Sequence, residues 1–578
     1  MAVPQFLKAA EQGEKLDYIV FDYLAEITMS ILARQRSLDP ARGYASDFVN
    51  DVIAPHLSRI AASGIKIISN AGGVNPSACG AAVRELVKAA GLKLKVAIIS
   101  GDDILQDIDS YAGAQDMFSQ APFPSMDKIA SANVYLGAFP IAKALGAGAD
   151  IIITGRTVDS AVTLGACIHE FGWNETDYDL LASGSLAGHI IECGPQVTGG
   201  NFTDWQEAAG SIADIGYPIA TVSNDGSFDV SKPHGTGGLV TVATVAEQML
   251  YEIGDPQAYY LPDVLCDFSQ VTLSQKSTDC VSVSPAQGRG APENYKACLT
   301  YHEGWKIVSL WMFVGEEARR KGQAYGEAAL TRARRKLRAK NLPDFTESSV
   351  TFFGDDSHYG DFSAPSSARE IVMKLAAKHE SKAACALLFK EATGLALATP
   401  AGLAPLSAAR PKPSPVIRLF SFKAAKSNIA ITIDTHGAVE TLRAHASVAP
   451  APRPHPAPPP QPDMTGDIID VPLVKLAYAR SGDKGNKANI GIFPRRREFA
   501  PYIWAALTED EISARFAHFN TGKTARYYLP GTASMNIVLD QALGGGGMTS
   551  MRFDPQGKTY GQIILQTPIP IPATLLEL

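Results

Sequence analysis

Four short runs of consecutive apolar, mostly β-branched residues punctuate the first 156 positions: DYIVFDYL, GIKIISNAGG, LKVAIISGDD and ADIIITGR. Each is followed by Gly, Asn or Asp, and helical stretches such as SACGAAVRELVKAAGLK separate most of them. Continuous apolar strands alternating with helices predict a parallel sheet covered on both faces. In such sheets, ligands sit in the crevice beyond the strands' C-terminal ends.

From about residue 200 the pattern changes. TDCVSVSPA and KACLTYHEGWKIVSLWMFVG read as antiparallel strands, followed by a basic helix, GEEARRKGQAYGEAALTRARRKLRAK. Its cations fall nearly all round the helix, which marks a solvated surface. VTFFGDDS then reads as a strand and SSAREIVMKLAAKH as a helix, completing a second α+β part that runs to about residue 445. The segment VAPAPRPHPAPPPQP, residues 448–462, cannot form helix or sheet. It predicts a stiff polyproline spacer of about 3.1 Å per residue. The expected division is an α/β part over 1–445, a linker over 446–466 and a small domain over 467–578.

At 578 residues the chain exceeds a single core. With 46% hydrophobic and 19% charged residues it has the composition of a soluble globular protein. The net charge of −7 argues against nucleic acid or an anionic membrane as partner. Neither a membrane-spanning run nor a signal-peptide core is evident, so a cytoplasmic location is expected. Seven cysteines without a C-x-x-C pair fit reduced thiols better than a disulfide framework or a zinc knuckle.

The strand-end loops carry the candidate chemistry. Asp22 and Glu26 either share one helix face or Asp22 caps that helix. Asn70, Gly72, Gly73 and Asn75 precede a helix, where they serve an anion or carbonyl oxygen or form a plain βα turn. Asp102 and Asp103 are residue types for general-base work or a divalent cation, against a structural or capping role. Arg156 suits a carboxylate or phosphate, with Asp159 to orient it, unless the two form a structural pair. His189, Glu192 and Cys193 lie within one helical turn beside glycines, the densest titratable cluster of the chain. They offer an acid/base couple or a partial metal site; satisfied core groups are the alternative. Lys232 and His234 in SKPHGTGGLVT resemble an anion cradle in residue type. No G-x-S-x-G, H-E-x-x-H or G-x-G-x-x-G occurs, and no cofactor motif is evident.

Taken in order, FDYLAE, SNAGGVNP, SGDD, ITGRTVDSA, GHIIECGPQVTGGNF, KPHGTGGLVTVATVAEQMLYEIGDPQAYYLPDV and ARSGDKGNKANIGI resemble the acyclic terpene utilisation (AtuA-like) family from about residue 15 onward. The resemblance implies a large N-terminal α/β domain followed by a small ferredoxin-like α+β domain carrying the RSGDKG loop. In the small domain, APYIWAALTEDEISARF and SMNIVLDQAL then read as helices, and TARYYLP and GQIILQTPI as strands. Such proteins usually open on a further strand and glycine-rich turn before the helix that PQFLKAAEQG matches, so either that strand is absent here or the crevice is edged differently. The resemblance also implies catabolism of branched acids, with an acyl-CoA or branched carboxylate as small-molecule partner, and a homo-oligomer.

On that footing RSGDKG is expected to close over the crevice. Arg480 and Lys484 would neutralise an anion, Asp483 would hold the cations, Asn489 would fix a carbonyl, and Ser481 lies within the same motif. A self-satisfied loop pinning an interface is the alternative. Lyase or hydratase chemistry by His189, Glu192 and Asp102 or Asp103 follows as the leading expectation. A non-catalytic acyl-binding or assembly subunit of a carboxylase or hydratase system, and a metal-dependent hydrolase, are the other two.

Overall fold

The computed structural model describes residues 2–364, 367–406, 410–444, 453–547 and 549–576. The four apolar runs form the strands Tyr18–Phe21, Lys66–Ser69, Val96–Ser100 and Ile151–Thr154. All are parallel, with Ile151–Thr154 between the second and third. Both faces are covered. Ile67, Ile151 and Ile153 join one core with Leu7, Ile60 and Val83. Ile68 and Ile152, facing the other way, join Ile141 and Leu164. This two-sided burial is why these strands read as unbroken apolar runs. Two late strands complete the sheet: Ile431–Thr435 pairs antiparallel with Val96–Ser100, and Ala438–Leu442 pairs antiparallel with Ile431–Thr435.

The second part is built on one 21-residue strand, Asn294–Val314. Its first half pairs with Ser414–Ala425 and Ile129–Val134, its second half with Glu370–His379. The helix expected near SSAREIVMKLAAKH is therefore a strand. Met373, Leu375 and Ala377 enter the core at every second position, while Lys374 donates from the opposite face to Met551 O at 2.5 Å. Period-two partners on both sides outweigh the helix propensity of Ala, Leu and Lys. The basic helix does form, over Ala318–Ala339, and buries Tyr325, Ala329, Ala333 and Leu337.

The C-terminal part holds a four-stranded antiparallel sheet in the order Ala477–Lys484, Lys487–Pro494, Ser534–Leu539, Thr524–Leu529. Two expectations are corrected here. SMNIVLDQAL is a central strand, with Met535, Ile537 and Leu539 in the core. GQIILQTPI gives a short helix, Tyr560–Ile564, and then the strand Pro568–Pro572. Residues 446–452 of the expected linker lie outside the described residues. From 453 on the segment has no regular structure, yet it touches both parts: His455 Nδ1 lies 3.0 Å from Gln257 Oε1, and its ring meets Tyr527. Among the described residues, no helix is long and apolar enough to cross a membrane.

Candidate functional site

The parallel strands bring their polar ends together as the alternation predicts. Asn70 spans two of these ends. Its Nδ2 donates to Asp22 Oδ1 at 2.6 Å and its Oδ1 accepts from the Tyr23 amide at 2.7 Å. Asp22 does not cap the following helix, whose first turn has no side-chain cap. Gly72 and Gly73 are packing positions. A Cβ on Gly72 would lie 2.5 Å from Thr154 O, and one on Gly73 2.4 Å from Leu32 Cδ1. Asn75 caps the helix Pro76–Ala89 and donates to Pro40 O and Arg42 O.

The adjacent carboxylates diverge. Asp102 is buried and accepts from the Arg156 amide and from Asn133 Nδ2, both at 2.8 Å. Burial pushes its carboxyl up to about 7 against these hydrogen bonds. Asp103 pairs with Arg36 at 2.8 Å and accepts from the Leu105 amide. Neither contacts His189. Among the described residues, no three His, Cys, Asp or Glu side chains are grouped as metal ligands would be. Lys232 binds Asp279 and Thr236 O away from this crevice, and the His234 amide donates to Glu14.

Arg156 and Asp159 point into the crevice. Arg156 donates to Asp159 Oδ1 at 2.7 Å and to Leu24 O at 2.6 Å, with its guanidinium 4.1 Å above the Tyr135 ring. The helix Tyr178–Ile191 delivers His189 and Glu192 to the same place. His189 Nε2 lies 3.2 Å from Met249 O, and a carbonyl only accepts, so this nitrogen carries a proton. Its Nδ1 lies 3.2 Å from Glu192 Oε1, without the alignment of a full hydrogen bond. Nδ1 thus faces the carboxylate at ion-pair distance.

Three carboxylates, Asp22, Asp159 and Glu192, stand close enough to influence one another. Burial raises Asp22 well above the usual carboxylate range, Asp159 and Glu192 raise it further, and Arg156 and Asn70 oppose them. Burial likewise raises Glu192, with His189 and Lys484 opposing and Asp159 adding to it. Tyr259 is raised first by burial, then by Glu192 and Asp159. The cluster is not sealed. Asp159 keeps 38% and Glu192 10% of its side-chain surface, and Asp22 is solvent-accessible. Accessible groups that are nevertheless strongly desolvated define a deep crevice. Two hollows, about 600 Å³ beside Glu11, Arg59 and Tyr18 and about 760 Å³ beside Phe353, His358 and Phe553, contain none of these groups.

The segment RSGDKG forms strand and not loop: it belongs to Ala477–Lys484, which turns at Gly485 and Asn486 into Lys487–Pro494. Alternation places Arg480, Gly482 and Lys484 on one face, beside Asn489 and Gly491 of the next strand. This face docks on the helix Val242–Met249 and the residues after it. Cβ atoms on Gly482 and Gly491 would lie 2.6 Å from Tyr251 and 2.3 Å from Leu250, so these glycines permit close approach. Asn489 donates to Leu250 O and Asn536 Oδ1 and accepts from the Glu252 amide. Arg480 pairs with Glu247 and also donates to Gln196 Oε1 and Gly200 O. Ser481, on the inward face, accepts from the Gly561 amide, and Asp483 lies 3.6 Å from Lys558. Arg480 and Asn489 are thus engaged by protein partners at the interface, and Ser481 within the small domain.

Lys484 alone of the motif's cations reaches the crevice. Its Nζ stands 5.2 Å from the Tyr259 ring centroid and opposes the rise of Glu192. It makes no ion pair within 4 Å among the described residues. Tyr135 carried no motif in the sequence, and Tyr259 lay within a quoted stretch without being singled out; their neighbours in space mark them.

Geometry and fold define a two-part protein whose large α/β domain offers a polar strand-end crevice and whose small domain docks a hairpin at its edge. The chain belongs to the acyclic terpene utilisation family: its model, described as "Acyclic terpene utilisation family protein AtuA", matches residues 2–435, and that of the "AtuA ferredoxin-like domain" matches 471–570. No curated protein and no solved structure matches it significantly.

Proposed function

We propose that this protein is an enzyme of branched-chain or acyclic terpenoid acid catabolism, performing lyase- or hydratase-type proton transfer on an acyl-CoA or branched carboxylate. The observation that carries this reading is the convergence of Asp22, Asp159, Glu192, His189 and Lys484 in one accessible crevice at the strand ends. Removing a proton next to a carbonyl needs a base poised near neutral pH and a group that stabilises the enolate oxygen. Glu192, raised by burial and facing His189, is the candidate base. Lys484 and Arg156 supply the stabilising charge, as cations in a desolvated site. Family membership supports the substrate class; the crevice supports the chemistry. Asp102 and Asp103 have no part in this scheme, because both are engaged by the fold.

The test is a screen of branched acyl-CoA esters and free branched acids for thermal stabilisation, followed by turnover with the best ligand. Glu192→Gln should bind that ligand and lose about 10²- to 10⁴-fold in kcat. Turnover unchanged in Glu192→Gln and in Asp22→Asn would sink the proposal.

A further inference from the structure

Tyr259 opens the short strand Tyr259–Tyr260 and is paired with Cys266 of the strand Leu265–Asp267. Successive strand residues face opposite sides. Tyr260 turns away from the crevice and spends its hydroxyl on the fold, donating to Asn294 O at 2.7 Å. Tyr259 turns toward His189, whose ring centroid lies 5.6 Å from its own. Phe268 packs on it at 5.5 Å between centroids, and the Lys484 ammonium stands 5.2 Å from the ring centroid. His189, Phe268 and Lys484 thus fix where this ring lies.

The hydroxyl is left over. A tyrosine withdrawn from solvent usually finds a partner for its O–H. Tyr259 is half-buried, and its hydroxyl makes no hydrogen bond to a protein group among the described residues. Glu192 and Asp159 act on it by charge without hydrogen-bonding to it, and with burial they hold the phenol in its protonated form. A neutral O–H without a protein acceptor, beside a buried carboxylate, is a donor available to an oxygen of whatever enters the crevice.

We propose that Tyr259 is a catalytic residue whose O–H donates the hydrogen bond that receives the substrate's carbonyl oxygen and stabilises the negative charge arising there. The role rests on the proton-transfer reading of the crevice and adds the directional donor to it. When Glu192 takes the proton from the carbon next to the carbonyl, the C–H electron pair becomes the C=C bond of the enolate and the charge moves to oxygen. The phenol keeps its own proton and meets that charge as a donor. Lys484 brings a point charge to the same place, whereas one O–H fixes where the oxygen must lie.

The experiment adds isovaleryl-CoA and isovalerate, isotope-labelled at the carbonyl or carboxylate carbon, to the full chain. It follows the C=O or carboxylate stretch by difference infrared spectroscopy and the exchange of α-protons in heavy water by NMR. With the parent, the bound stretch should lie at lower wavenumber than with Tyr259→Phe, and Tyr259→Phe should slow exchange about 10²- to 10³-fold. Its melting temperature should not change, because the hydroxyl it loses has no protein partner. Tyr260→Phe should do the reverse, lowering the melting temperature and leaving the stretch unmoved. A parent-like stretch and exchange rate in Tyr259→Phe, with exchange lost in Glu192→Gln, would remove the role of Tyr259 alone. A parent that exchanges the α-protons of neither compound would overturn this role together with the reading beneath it.

Discussion

Arg480 Nη2 lies 2.7 Å from Glu247 Oε2, with both side chains almost wholly withdrawn from solvent, at 4% and 1% exposure. The pair joins the small domain's hairpin to a helix of the large one. Burial alone would push Glu247 up, and Arg480 and Thr203 counter that rise. The arginine of RSGDKG is thus fastened to the protein itself, and the lysine four residues on is left to the crevice.

Removing one partner leaves a buried charge uncompensated, which costs about 3–5 kcal/mol. Arg480→Ala should lower stability by about that amount in urea unfolding and speed proteolysis of the 453–466 segment. Arg480→Met combined with Glu247→Leu should recover most of the loss, because the penalty comes from the orphaned charge and not from the missing attraction.

Close backbone approach makes a second prediction. A Cβ on Gly491 would stand 2.3 Å from Leu250 Cβ, whereas one on Gly113 would meet nothing within 4 Å. Gly491→Ala should cost about 1–3 kcal/mol by forcing the docked surfaces apart. Gly113→Ala should fall within about 0.5 kcal/mol of the parent. Equal melting temperatures for the two variants would contradict the docking described.

Asp102 sets the sign of one pH dependence. Its folded carboxyl titrates at about 7, and the unfolded one near 4. Between these values the native state holds a proton that the unfolded state has lost, so this group's contribution to stability falls as pH rises from about 4 to 7. In Asp102→Asn that component should vanish, flattening the stability profile across this window. A profile as steep as the parent's would refute the assignment.

Asp103 should separate structure from chemistry. It pairs with Arg36 and accepts from the Leu105 amide, outside the Glu192–His189 crevice. Asp103→Asn should cost up to about 1 kcal/mol in unfolding and leave kcat/KM within about twofold. A hundredfold loss of kcat/KM at unchanged stability would restore Asp103 to the reacting group.

Lys484 is the converse case. Lys484→Met keeps the stem but removes the cation of RSGDKG that reaches the crevice, so Glu192 should lose one of the influences that hold its pKa down. The pH dependence of kcat/KM should shift upward, with little change in melting temperature. An unmoved profile would show that Lys484 does not sense the reacting groups.

Much of this was legible along the chain. The runs at 18–21, 66–69, 96–100 and 151–154 are apolar on both faces because helices cover both, so periodicity alone announced a parallel sheet and its polar ends. The His189–Glu192 pair was legible because three residues on a helix make neighbours. Glu370–His379 and Ser534–Leu539 were misread because Ala, Leu, Met and Lys favour helices locally, and only the strands on either side impose the extended state.

The four N-terminal strands, their polar ends and the residue types available for chemistry were written in the sequence, since local periodicity and propensity act over a few residues. Tertiary structure alone decided that Asp102 and Asp103 part company, that Asn70 holds Asp22, and that Arg480 is consumed by Glu247 while Lys484 stays open. Those outcomes depend on which distant carboxylate or carbonyl lies within about 3 Å, and on the desolvation imposed when two domains close on one crevice.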